Sequence, residues 1–142
     1  MGMDVYGRRP SAPAGRYFRS ALWAWPPIHA LLWTLCGDLL PGEMFDGMAV
    51  NQGAGPRSQA VCTKMAERFA TWLRSHPKGF KLTRSQRRLQ RAVLLSSLNP
   101  HAKGIDVLVM SKGRAVWVSK GGRGHLWMWV KFLRHCGGFE VR

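Results

Sequence analysis

The chain has 142 residues, 46% of them hydrophobic, with seven tryptophans and a formal net charge of +15. That is long enough for one domain with a real core and too apolar for a disordered basic tail. Its longest apolar stretch, around Ile28 to Leu40, is interrupted by His29, Gly37 and Asp38, which is too short and too polar to span a bilayer, and no signal-peptide pattern opens the chain.

In chain order, residues 1–16 are rich in Gly, Pro, Arg and Ser and are expected to form an irregular arm ahead of a single compact domain over 17–142. Tyr17 to Trp25 is a short aromatic element whose type the pattern leaves open, stopped by Pro26-Pro27. Pro27 suits the first turn of a helix from about Ile28 to Leu35. Gly37, Pro41, Gly42 and Gly47 then break the chain, and residues 51–56 read as a loop. Ser58 is a suitable N-cap for a helix to about Arg74, with Val61, Met65, Phe69, Trp72 and Leu73 as its apolar stripe. Pro77 and Gly79 end it.

Thr83-Arg84-Ser85-Gln86 has the form of a capping box and opens a further helix to about Leu98. Ile105–Met110 and Ala115–Ser119, joined through Gly113, predict a β-hairpin. Lys120 to Gly124 reads as a Gly-rich linker, and His125 to Cys136 as a last helix with Gly137 as its C′ residue. Phe139 to Val141 has the length of a short strand. The expected class is α+β, dominated by three to four helices with one β-hairpin.

The charge is unevenly placed. Residues 1–56 balance Arg8, Arg9, Arg16 and Arg19 against Asp4, Asp38, Glu43 and Asp46, so the whole net +15 lies in residues 57–142. No acid occurs between Glu67 and Asp106. On the helix over Thr83–Leu98, Arg84, Arg87, Arg88 and Arg91 fall on one face at 100° per residue. Like charges at that spacing cost roughly 0.2–0.5 kcal/mol per pair. A polyanionic partner is the simplest compensation, and arginine suits bidentate contact with phosphate. A solvated helix face is the plain alternative. Lys78, Lys81, Lys120 and Arg123 extend the same patch, the last two in a Gly-rich stretch suited either to an auxiliary phosphate contact or to a simple connection. No recognised base-reading motif is present, so backbone contact is expected rather than sequence-specific readout.

Other chemistry is poorly supplied. Cys36, Cys62 and Cys136 are widely spaced, with no CxxC, which argues against a disulfide framework and for a reducing cytosol. His135-Cys136 matches no usual zinc spacing, and no metal or other cofactor is expected. The acids are too few for paired-carboxylate catalysis, and no nucleophile–base pair is anchored in the sequence. Of the tryptophans, Trp33 and Trp72 sit on apolar faces expected in the core. Trp127 and Trp129 lie about 200° apart on the last helix, so one of them is a candidate exposed aromatic.

Three stretches resemble a family of small uncharacterised bacterial and phage proteins. They are Met3-Asp4-Val5-Tyr6-Gly7 with Gly15-Arg16-Tyr17-Phe18-Arg19, Trp23, Trp25 and Cys36-Gly37-Asp38; then the loop from Asn51 to Gly55 with the helix after it; and Phe132-Leu133-Arg134-His135-Cys136-Gly137-Gly138-Phe139-Glu140-Val141. The resemblance implies that the two ends pack together as one shell. It departs at Trp25-Pro26-Pro27, where such proteins tend to read Trp-Arg-Pro, and it does not extend over Lys78 to His125. It implies no activity and no site residues.

The sequence thus leads to a non-enzymatic, cytoplasmic basic protein binding DNA or RNA, or a nucleoprotein complex, through phosphate contacts from Arg84, Arg87, Arg88, Arg91 and their neighbours. The alternative is a phage- or mobile-element-encoded protein-interaction module that docks on or inhibits a host complex. A cysteine-dependent enzyme and a membrane-surface binder rank below both.

Overall fold

A computed structural model describes residues 2–21, 25–75, 106–109, 115–118 and 120–142. The expected helix over Thr83–Leu98 lies outside the described residues. Where it is described, the chain is α+β. Strands β1 (Gly2–Gly7), β2 (Tyr17–Ala21) and β5 (Phe139–Val141) form an antiparallel sheet in the order β2-β1-β5. Strands β3 (Asp106–Val109) and β4 (Ala115–Val118) form the anticipated hairpin, with Asp106 opposite Val118. Among the described residues the helices are α1 (Trp25–Cys36), α2 (Gly42–Gly47), α3 (Gln59–Ser75) and α4 (Lys120–His135). None of them is long and apolar enough to cross a membrane.

The expectation of an irregular N-terminal arm is corrected by β1. Gly2–Gly7 is the central strand of the sheet, with Met3 and Val5 buried and Asp4 and Tyr6 on the other face. That period-2 alternation covers only four residues and runs straight into Arg8-Arg9-Pro10, so it is weak locally. Pairing decides it: Tyr6 lies opposite Tyr17 on one side and opposite Glu140 on the other. The aromatic stretch from Tyr17 likewise resolves into two elements, β2 and the first residue of α1. Gly42–Gly47, read as a break, is a short helix whose first turn carries Glu43.

The loop over residues 51–56 does more than connect. Gly53 donates to the Val141 carbonyl at 2.8 Å, Val141 donates back to Ala54 at 2.9 Å, and Phe139 donates to Pro56 at 2.8 Å. The free edge of β5 is therefore covered by backbone, as buried N–H groups require. Three stretches far apart in the chain, β1, residues 53–56 and β5, meet here.

Helix α1 starts at Trp25, with Pro26 and Pro27 in its first turn, where a missing N–H costs nothing. Ile28, Leu31, Leu32 and Cys36 form its buried stripe. The Trp25 indole donates to the Met48 carbonyl at 3.0 Å, and His29 reaches the Phe45 carbonyl at 2.8 Å while its ring stacks on Phe45. These contacts fix α2 against α1. Helix α3 buries Cys62, Met65, Ala66, Phe69, Ala70 and Leu73. Met65, Phe69 and Leu73 are the expected stripe residues, while Val61 and Trp72 lie half-buried at its margin. Arg68 ties α3 to the end of α1 by donating to the Leu35 carbonyl at 2.8 Å and to both oxygens of Asp38. That pairing holds the Asp38 carboxyl below its ordinary range.

Helix α4 is the centre of the molecule, in contact with both α3 and the sheet. It buries Leu126, Trp129, Val130, Phe132 and Leu133, a face broad enough to meet both α3 and the sheet, and Cys136 just after it is buried as well. Trp129 is fully buried, with its ring 5.0 Å from Phe18, 5.3 Å from Phe139, 5.5 Å from Phe132 and 5.7 Å from Trp25. Its indole N–H has no hydrogen-bond partner among the described residues. Aromatic packing outweighs that loss, since burying one such ring is worth several times a single neutral hydrogen bond.

The end of α4 follows the expected pattern: Gly137 and the next residue, Gly138, both have positive φ. The start does not. Lys120–Gly124, expected as a linker, is the opening of the helix itself. Gly121, Gly122 and Gly124 are poor helix formers, so the extension reflects the buried face that follows them rather than local propensity.

Candidate functional site

Of the residues singled out for phosphate contact, Lys78, Lys81, Arg84, Arg87, Arg88 and Arg91 lie outside the described residues. Lys120 opens α4. Arg123 lies in the first turns of α4, half-buried and engaged with neighbours. The Gly-rich stretch around these two is helical, so it is not the flexible loop before a helix on which the auxiliary phosphate contact depended.

The tryptophans sort differently from expectation. Trp129 is wholly core. Trp127 is half-buried, with the Arg74 guanidinium 5.9 Å from its ring centre, and Trp33 and Trp72 border the core. Among the residues whose burial is described, Tyr6 and Tyr17 are exposed aromatics, 42% and 44% accessible on the outer face of the sheet.

That face is set by strand register. With Met3, Val5, Phe18, Ser20, Phe139 and Val141 turned inward, the alternate residues form two rows across three strands. One row is Tyr17, Tyr6 and Glu140. The other is Arg19, Asp4 and Arg142, the last two joined by paired backbone hydrogen bonds of 3.2 and 2.8 Å. The two phenol rings lie 5.2 Å apart, tilted by 45°. The Arg142 guanidinium lies 5.9 Å from the centre of the Tyr6 ring. Both acids are engaged: Asp4 accepts from the Tyr17 hydroxyl and faces Arg19 at 3.9 Å, and Glu140 pairs with Arg142 and with Arg8 at 3.2 Å. The hydrogen bond to Asp4 raises the Tyr17 phenol above its ordinary pKa. Alternation in Met3-Asp4-Val5-Tyr6 is a signal that could have found this face, but it is too short to stand out, and Tyr17-Phe18-Arg19-Ser20 does not alternate apolar with polar.

A second cationic group surrounds the turn after α4. The backbone of Arg9 packs against Gly137 and that of Arg57 against Gly138, while Arg134 lies in the last turn of the helix. All three residues are exposed. Positive charge there also complements the negative end of the helix dipole.

Reactive groups are buried rather than presented. Burial pushes the Cys36 thiol up to about 12. The Cys62 and Cys136 thiols are hydrogen-bonded to each other in the core, which together with burial raises Cys62. His125 Nε2 lies 3.1 Å from the hydroxyl of Ser20, and burial lowers its imidazole below the ordinary histidine value. Ser20 has no accessible surface and, among the described residues, no carboxylate orients the imidazole. The pair bridges β2 and α4 as a buried polar contact and lacks the arrangement of an activated nucleophile. Among the described residues, no group of three or more His, Cys, Asp or Glu could hold a metal ion.

No family model, curated protein or solved structure matches this chain.

Proposed function

We propose that this is a non-enzymatic basic protein that binds nucleic acid, or a nucleoprotein, mainly through the phosphate backbone. The observation that carries the reading is the segregation of charge: the entire net +15 lies in residues 57–142, with no acid between Glu67 and Asp106. Arg84, Arg87, Arg88 and Arg91 are its centre, extended by Lys78, Lys81, Lys120 and Arg123. Cations outnumber acids 22 to 7 over the chain, and three of those acids, Asp4, Asp38 and Glu140, are already paired with arginines within the fold. Exposed Arg9, Arg57 and Arg134 continue the excess around the turn after α4. Three widely spaced cysteines with no CxxC fit a cytosolic setting.

The test is fluorescence anisotropy with labelled DNA and RNA across a salt series. Affinity is expected to fall steeply and linearly on log–log axes as salt rises. The charge reversal Arg87→Glu with Arg88→Glu is expected to abolish binding with the circular dichroism spectrum unchanged. No binding at low salt overturns the reading and assigns the charge to a protein partner.

A further inference from the structure

We infer that the outer face of the β2-β1-β5 sheet is a stacking platform for unpaired bases, which makes single-stranded nucleic acid the ligand class. The inference rests on the nucleic-acid reading above and adds a second contact surface, distant in sequence from the arginine-rich segment.

Four observations carry it. The pairing of β1 with β2 sets Tyr6 directly opposite Tyr17, so two aromatic rings stand side by side on a solvent-facing sheet. Both rings are exposed, whereas the inward-facing side chains of the same strands, Met3, Val5, Phe18 and Ser20, are buried. Guanidiniums frame them: Arg142 against the Tyr6 ring, Arg19 in the neighbouring row, and Arg8 at the end of β1. Finally, the two acids on this face are turned to those arginines and to the Tyr17 hydroxyl, so they hold the cations in place. Three guanidiniums against two carboxylates leave the face slightly cationic.

Flat rings beside fixed guanidiniums match a ligand that offers both a π-face and a phosphate. An unpaired nucleotide offers both together. A duplex keeps its bases stacked inside and presents only phosphates to such a surface, so the tyrosines would contribute nothing to holding it. Arginines already ordered by Glu140 and Asp4 lose less conformational freedom on meeting phosphate. Stacking tolerates any base, and nothing on the face presents a base-specific pattern of donors and acceptors.

The experiment compares binding of labelled oligothymidylate and of a mixed-sequence duplex by the full chain and by ring variants. Tyr6→Leu with Tyr17→Leu keeps apolar bulk but removes the π-systems, and Tyr6→Phe with Tyr17→Phe keeps the rings. The leucine pair is expected to weaken single-strand binding by about tenfold or more while leaving the duplex affinity unchanged. The phenylalanine pair is expected to stay within about threefold of the parent protein. If the leucine pair is unfolded by circular dichroism, the single change Tyr6→Leu, which spares the Tyr17–Asp4 contact, carries the same comparison. Equal single-strand affinity in leucine and phenylalanine variants overturns the platform alone, and the phosphate-binding reading survives. Failure of every nucleic acid to bind the parent protein at low salt overturns both.

Discussion

The side-chain carbonyl of Gln59 accepts the backbone N–H of Gly137 at 2.6 Å, joining the first residue of α3 to the turn that ends α4. The amide nitrogen of the same side chain donates to the carbonyls of Leu133 and Arg134 at 3.0 and 3.1 Å. One glutamine therefore satisfies two carbonyls that the end of a helix leaves without partners, together with the amide beyond them. Helix packing between α3 and α4 and the direction in which the chain enters β5 are set by the same residue.

Gln59→Ala should cost about 1–3 kcal/mol, read from the urea midpoint at constant slope. Gln59→Glu should be at least as damaging, because a carboxylate can accept from Gly137 but faces two carbonyls with nothing to donate, at the negative end of a helix. A glutamate variant as stable as the parent would mean that the Gly137 contact alone matters.

Glycine substitutions should separate close backbone approach from helix propensity. A Cβ at Gly15 would lie 2.0 Å from the His135 carbonyl oxygen, so Gly15→Ala must push the turn before β2 away from the end of α4. A loss of about 3 kcal/mol is expected. Gly124, inside α4 with nothing within 4 Å of the added carbon, is the opposite case. Gly124→Ala should stabilise by roughly 0.5–1 kcal/mol through helix propensity. Thermal melts of the two variants shifting in the same direction would contradict these assignments.

The buried imidazole of His125 predicts a mild acid sensitivity. Its folded pKa lies below the ordinary 6.5, so the unfolded chain binds a proton that the folded chain resists. The stability it contributes is complete above about pH 6.5 and declines as the pH falls toward the lowered folded value. His125→Gln should flatten the dependence of the melting midpoint on pH in that window. Asp38 acts at lower pH: its depressed carboxyl loses the Arg68 pairing only as pH falls below the ordinary carboxylate range. An unaltered slope in the glutamine variant would remove His125 as the source.

Thiol reactivity should report folding. Cys36, Cys62 and Cys136 are all buried; burial keeps Cys36 protonated near pH 8, and the hydrogen bond to Cys136 together with burial does the same for Cys62. Iodoacetamide at that pH should leave the native protein unlabelled and add three groups after denaturation, counted by mass spectrometry. Rapid labelling of any of the three in the native state would show that its site opens to solvent.

Local signals carried the helical part of the fold. The Ser58 boundary, the stripe through Met65 and Phe69, and the C′ glycine after α4 each depend on residues a few positions apart, and each corresponds to an observed element. On α3 the core also takes in Cys62, Ala66 and Ala70 while Val61 and Trp72 sit at its margin, a choice that packing against α4 makes and local apolarity does not. Lys120–Gly124 departs from the expected linker for a related reason. Three glycines argue against a helix, but the core face beginning at Leu126 extends it backward.

By itself the sequence determined the composition of the surface and the periods of its helices: a net +15 confined to residues 57–142, and apolar repeats that commit α1, α3 and α4 to one core. Charge and helical period are properties of adjacent residues and need no partner. Tertiary structure alone decided that the chain's two ends share a sheet, that the loop at 53–56 closes its edge, and that Tyr6 and Tyr17 stand together in front of Arg142. A strand of four to six residues satisfies its backbone only through another strand, and here those partners lie at opposite ends of the chain, so no local pattern could specify them.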